Sequence, residues 1–414
     1  MRFDESLAFK RDPYRFIAKR CRQIASDVYE TRLFLRKTTC VTGRAAAQMF
    51  YDGERLARHG AAPEPLQKTL LGVGGVQSLD GAAHQHRKAM FLALMSSARI
   101  RELAEVFRNE LLTDLALWEG QERIVLYDAL LPVLTRAVCK WSGVPLIPRE
   151  IGRRTKQLTA LFDAAGRFPA HFKSRLDRTR AEDWAAGLVE NVRLGAILPP
   201  AQSALREIAL HRDLEGQLLP AHTAAVELLN VLRPTVAVAV YIVFCAHALH
   251  QFPEAAEGLR TGGQAYMDAF ISEVRRFYPF FPAVPAKVRQ PFRWGGHEFP
   301  RNRRVMLDLH GTNHDERVWS EPETFHPQRF LQWNGDAFAF VPQGGGSHQV
   351  QHRCPGEWIT VALMRTAIDF FTETIRYNVP EQDLSVDTAR LPALPRSRFV
   401  IGAVGARTAG AERA

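Results

Sequence analysis

Five cysteines are scattered through the 414 residues, and one of them, Cys354, stands where sulfur chemistry is feasible. It closes the loop Phe340-Val-Pro-Gln-Gly-Gly-Gly-Ser-His-Gln-Val-Gln-His-Arg-Cys354, in which Gly344 to Gly346 permit backbone shapes closed to other residues and close approach to a flat ligand. The following Pro355-Gly-Glu-Trp-Ile-Thr-Val-Ala-Leu-Met reads as a helix with proline in its first turn. A thiolate at that positive helix end is favoured and could ligate iron, whereas an isolated buried cysteine would be plain core. The second signal is Glu227-Leu-Leu-Asn-Val-Leu-Arg233-Pro234-Thr, inside the most apolar stretch of the chain, 224 to 249. An arginine buried there needs an answering group. Glu227, six residues back at ~100° per residue, projects from another face, and Asn230 is a neighbour without charge. Arg233 therefore reads either as half of a distant ion pair or as an anion site in a helix bent at Pro234. Its guanidinium stays protonated and can grip a carboxylate through two parallel hydrogen bonds. Upstream, Thr69-Leu-Leu-Gly-Val-Gly-Gly-Val-Gln77 leads to His84 and Lys88, which share a helix face and could hold carboxylates or simply decorate a surface.

Taken together, the Cys354 loop, Glu273-x-x-Arg276 and Phe325-His-Pro-Gln-Arg-Phe330 resemble, in order and spacing, the haem-thiolate half of a cytochrome P-450. Most cytochromes P-450 place an acid and a threonine in the central helix; this chain has Arg233 and Pro234. With Gln343-Gly-Gly-Gly346, His352-Arg-Cys-Pro-Gly-Glu357, Asp80-Gly81 and Gly311-Thr-Asn-His-Asp315, the whole chain is similar to the bacterial fatty-acid peroxygenases of that superfamily. The resemblance implies a mainly α fold with a small β portion, and haem b, with Cys354 as axial ligand, between the long central helix and the Cys-loop helix. It implies hydrogen peroxide in place of dioxygen, reductant and redox partner. Arg233 and Pro234 would form the site for the carboxylate of a long-chain fatty acid, which itself helps peroxide lose its outer oxygen as water. Glu273, Arg276 and Arg329 would form a buried structural triad. Arg58, His84, Lys88 and Arg289 match positions near the haem propionates, and His352 stands where the wider superfamily uses arginine. Gln77, where alkene-forming members tend to carry histidine, favours hydroxylation over decarboxylation. Leu71, where other members have phenylalanine, favours attack at carbon 2 over carbon 3. Leu70, Val73, Phe280 and Phe281 would wall the alkyl channel or be plain core. The rival readings are an electron-fed monooxygenase, which should show the acid–threonine pair absent here, and a haem-dependent fatty-acid binder without turnover.

These residues need elements to position them. Length and composition (46% hydrophobic, 24% charged) fit one large domain over 1–414, with 404–414 expected to be a loose tail. Cys21, Cys40, Cys139, Cys245 and Cys354 show no paired spacing, which suits a reducing cytoplasm. Met1 to Tyr14 lacks the apolar core of a leader, and Glu227, Asn230, Arg233, Pro234 and His247 make the apolar stretch a buried helix rather than a membrane span. The net charge of +10 comes from scattered arginines, as in Ile151-Gly-Arg-Arg-Thr-Lys156, without the clustering nucleic acid would require; it could draw anions or membrane surfaces. Helices should end near Gly143-Val-Pro145, Leu198-Pro-Pro200 and Gln251-Phe-Pro253. Residues 28–41 read as a helix running into a short strand, and 292–294 and 304–310 as strands.

Overall fold

The apolar stretch folds as two abutting helices, Ala221–Ala237 and Ala239–Gln251. It is apolar on every face, and 89% of its most hydrophobic window is buried, so it is the core helix rather than a surface one. The helix runs through Pro234 and is interrupted four residues later at Val238, whose N–H reaches back to Thr235 O at 3.2 Å. Around it pack Leu126–Trp141, Ala170–Arg193 and Glu357–Asp369, and their apolar faces merge into one large core. In the computed structural model, residues 4–63, 67–163 and 170–407 are described.

Helices end at Trp141 and Gln251, where Gly143-Val-Pro145 and Gln251-Phe-Pro253 put them, whereas the one before Leu198-Pro-Pro200 already stops at Arg193, ahead of Gly195 at positive φ. The β portion centres on a five-stranded sheet in the order Val28–Leu33, Arg36–Val41, Arg304–Asp308, Ala283–Val288, Leu56–Ala57. All of its pairings are antiparallel except Arg36–Val41 with Arg304–Asp308. Phe292–Trp294 and His297–Phe299 form the expected hairpin around Gly295-Gly296.

Two expectations are corrected. Residues 28–41 form a β-hairpin with no helix, closed by a two-residue turn at Phe34-Leu35 in which both φ angles are positive. The tail is not loose from 404: Val400–Ala406 is a strand between Ile124–Val125 and Ile375–Asn378, while 408–414 lie outside the described residues.

Candidate active site

The Cys354 loop is built from close approaches. Gly344 and Gly346 hold φ of +91° and +79°, and a Cβ on Gly345 would sit 2.7 Å from Ala337 O. Cys354 N–H bonds to Gln343 O at 3.0 Å, and the helix Glu357–Asp369 starts three residues on. Beneath the loop lies buried Glu357, bonded to Arg275, to Arg353 Nε at 2.7 Å and to His348 Nε2 at 2.9 Å. Burial would raise its carboxyl, but these three partners outweigh that and hold it well below the usual range. Lys88 reaches in from Gly81–Leu94 and donates to the carbonyls of Gln351 and Arg353. The thiol of Cys354 itself is pushed up by burial, against the Gly356 N–H. Burial outweighs the helix polarity at this sulfur, and a metal bound there would displace the proton.

Above the sulfur is a cavity of about 350 Å³. Its walls come from the central helix (Asn230, Arg233, Pro234, Val238, Tyr241) and from the Cys loop (Gln343, Gly344, Cys354, Gly356). Leu70, Leu71, Gln77, Phe280 and Phe281 line it as the sequence proposed. Val73 does not: it is 59% exposed, turned outward between Gly72 and Gly74, both at positive φ. Arg289 is also absent from the wall; it follows the strand Ala283–Val288 and its N–H is tied to Arg55 O at 2.8 Å.

A chain of polar groups crosses the cavity roof. Arg87 donates to Glu227 Oε1 at 2.7 Å, and Glu227 Oε2 accepts from Asn230 Nδ2 at 2.9 Å. Asn230 Nδ2 also lies 3.2 Å from Gln77 Oε1, and Asn230 Oδ1 accepts from Arg233 Nη2 at 3.4 Å. A carboxylate only accepts, so Glu227 fixes which way the Asn230 amide points and turns its oxygen toward Arg233. Glu227 thus answers Arg87, not Arg233. Arg233 Nη1 is buried with no partner among the described residues. Burial, with Arg178 nearby, pushes its guanidinium down to about 9, which leaves it cationic at neutral pH.

At another part of the wall, Arg58, His84, Lys88 and His352 come together. His84 and His352 stack at 3.9 Å, and His352 Nε2 lies 3.7 Å from Asp80 Oδ1. Burial pushes both imidazoles down, to about 4 and about 3, so both are neutral at pH 7. Arg58 donates to Pro285 O at 2.7 Å and lies over the Phe50 ring. The cavity thus offers a sulfur and cations answered mainly by carbonyls. Among the described residues there is no cluster of three or more His, Cys, Asp and Glu, so a metal on Cys354 must bring its other ligands with it. A flat dianionic metalloporphyrin fits that description. Outside the cavity, Glu273 and Arg276 are fully buried and joined by two bonds of 2.7 and 2.8 Å, with Arg329 Nε at 3.3 Å.

The family profile for Cytochrome P450 matches residues 265–382. Curated relatives align over short stretches: Cytochrome P450 71D2 of Catharanthus roseus is 28% identical over 32% of this chain, and Probable cytochrome P450 305a1 of Drosophila melanogaster 34% over 26%. The chain spans only 26% and 20% of their lengths. Solved structures match throughout. Cytochrome P450SP alpha (CYP152B1) in complex with (R)-ibuprophen is 50% identical, covers 97% of this chain and 99% of its own, and superposes with a TM-score of 0.96. The chain belongs to the CYP152 fatty-acid peroxygenases. CYP152 proteins are haem-thiolate oxidoreductases, and haem b with an axial cysteinyl thiolate is their cofactor. Two further CYP152-like matches are Cytochrome P450EX alpha (CYP152N1) with myristic acid, at 43% identity, 98% coverage of each chain and a TM-score of 0.95, and an OleT variant with arachidonic acid. The latter is 32% identical over 99% of this chain and 98% of its own, with a TM-score of 0.94. In this CYP152 chain sequence reasoning missed Arg87 and Arg275, hinted at only by the neighbouring motif residues Lys88 and Arg276, and it quoted Glu357 in the cysteine motif without a role.

Proposed function

We propose that the protein hydroxylates long-chain fatty acids with hydrogen peroxide, chiefly at carbon 2, by the overall change R–H + H2O2 → R–OH + H2O. Cys354 would hold the iron of haem b, with Arg58, His84, Lys88 and His352 toward its propionates. When bound, that group supplies the oxidising chemistry that inserts one peroxide oxygen into a C–H bond.

The chain's own residues bind and orient. Arg233, with a free Nη1 in the cavity wall, takes the fatty-acid carboxylate, and this unpartnered buried donor is the observation that carries the reading. No carboxylate or histidine side chain of the central helix lines the cavity, and the carboxylate that Arg233 holds is assigned as the proton-moving group beside it. Held there, that carboxylate would accept a proton from hydrogen peroxide and give it to the oxygen that leaves as water, leaving the other oxygen for transfer to the substrate by the haem when bound. Gln77, a neutral amide, leaves that task to the substrate. Leu70, Leu71, Phe280 and Phe281 exclude water and guide the tail, and the small Leu71 lets the acid lie with carbon 2 nearest the reacting centre. Pro234 shapes the helix wall beside the guanidinium.

The test is product analysis of haem-loaded protein mixed with myristic acid and peroxide, with no reductase or nicotinamide. The expected product is 2-hydroxymyristic acid. Arg233→Ala should lower turnover about 10²-fold or more, the scale for losing a preorganised charge partner. Undiminished turnover in that variant would remove the carboxylate-assisted mechanism.

A further inference from the structure

The tip of the Val28–Val41 hairpin contradicts its own local chemistry. A two-residue turn with positive φ at both positions favours Asn-Gly, yet Phe34 (φ 52°) and Leu35 (φ 61°) occupy it. Leu35 faces water, 82% exposed, while Phe34 sets one side of its ring edge-on against Phe9 at 6.3 Å and remains 40% exposed. Ser6 Oγ accepts from the Phe34 N–H and Asp4 Oδ2 from the Leu35 N–H at 2.7 Å, and Leu7, next to Ser6 in the chain, is 62% exposed.

Cations surround this apolar tip. Lys10 Nζ is 5.8 Å from the Phe34 ring centroid. Arg36 and Lys37 follow the turn directly and also line a cleft of about 370 Å³ with Lys287, Arg301, Arg303 and Arg304. Strand register makes tip and cleft continuous, since Leu33 pairs with Arg36 and Thr38 with Arg304. Among the described residues, Glu30 approaches this group, 3.6 Å from Arg303, and Asp4 is engaged at the turn. No residue of the cleft belongs to the catalytic cavity.

We propose that the Phe34–Leu35 tip and the basic cleft behind it form a docking surface for an anionic lipid bilayer. The tip enters among the headgroups, and the cleft cations meet lipid phosphates. One environment thereby resolves two misfits: exposed apolar side chains on a strained turn, and like charges gathered around it. A nucleic acid would answer the cations but leave the tip in water. The surface is independent of the reaction assigned to the cavity, and its test involves no turnover.

Haem-loaded, full-length protein is sedimented with vesicles of phosphatidylcholine, with and without phosphatidylglycerol. Binding is expected only to the anionic vesicles, weakening as salt rises. The double variant Phe34→Asn, Leu35→Gly supplies the residues the turn prefers and removes the apolar tip, so vesicle affinity should fall about tenfold while the hairpin stays closed. Arg36→Glu with Lys37→Glu should abolish binding at low salt. Three outcomes overturn the proposal: no binding of the unaltered protein to anionic vesicles, equal binding by the Asn-Gly variant, or equal binding by the charge-reversed one. Full displacement by inorganic pyrophosphate, with no loss in the Asn-Gly variant, would assign the cleft to a free phosphate ligand instead and likewise overturn it.

Discussion

Arg233 is a buried cation with one guanidinium nitrogen left without a partner among the described residues. Burial, with Arg178 nearby, lowers its guanidinium, so an anion beside it is favoured. A fatty acid supplies that anion and a fatty alcohol of equal length does not, so the acid should bind more tightly at neutral pH, by about tenfold or more, and Arg233→Ala should erase the difference. Titration calorimetry of the haem-loaded protein with the two ligands checks this. Glu227 acts on the same guanidinium through Asn230. Glu227→Gln can present either an oxygen or a nitrogen to that amide and frees it to flip, so acid affinity should fall about tenfold, or ~1.4 kcal/mol, with alcohol affinity unchanged. Equal weakening of acid and alcohol would mean that Glu227 serves only the fold. The sequence exposed Cys354 and Arg233, because an iron-binding sulfur and a buried cation are conspicuous singly. It concealed the pairing of Arg87 with Glu227, since the two lie 140 positions apart and Arg87 stands beside the motif residue Lys88.

Elements that lack local signals were the ones misread. The hairpin of 28–41 has no Asn-Gly at its turn, and its first strand alternates poorly because Val28, Thr31 and Leu33 are all buried. The loop carrying Leu71 and Gln77 was legible as glycine-rich, yet which of its side chains turn inward depends on contacts with the central helix. Gly75 is the tightest of these contacts that its own backbone does not demand. Its φ of −74° suits any residue, but a Cβ would lie 2.9 Å from Asn230 Nδ2 and 3.0 Å from Gln77 Oε1. Gly75→Ala should therefore lower stability by about 1–3 kcal/mol and change the ratio of 2- to 3-hydroxy product, as the roof lifts off the helix. Denaturant unfolding and product analysis report the two effects separately. The glycines before Cys354 were read correctly, since positive φ at Gly344 and Gly346 leaves few alternatives.

For the molecule as a whole, burial of neutral histidines sets the response to acid. His310 and His314 pack together at 4.1 Å near Arg276; burial first, then each other or that arginine, lowers both, His314 to about 4 from 6.5. The unfolded chain binds more protons between those two values, so stability should rise with pH from about 4 to about 6.5, His314 alone accounting for roughly 3 kcal/mol. His314→Phe should flatten that slope in denaturant midpoints measured across pH. The overall α-rich architecture followed from the apolar helix and the Gly/Pro stops, whereas the sheet depends on pairings between strands as distant as 38–41 and 304–307. The same long-range closure governs the cavity, whose wall draws on residues 51–62, 70–95, 230–241, 280–285 and 342–360, with Phe162 and Leu309. On the ribosome, the slot for the cofactor cannot be complete until residue 360 has emerged, and the sulfur arrives among the last of its parts. Synthesis therefore has an obligatory order: the segments that carry the inward-facing cations are made before the sulfur, and the full set of holders for the porphyrin is together only once residue 360 is in place.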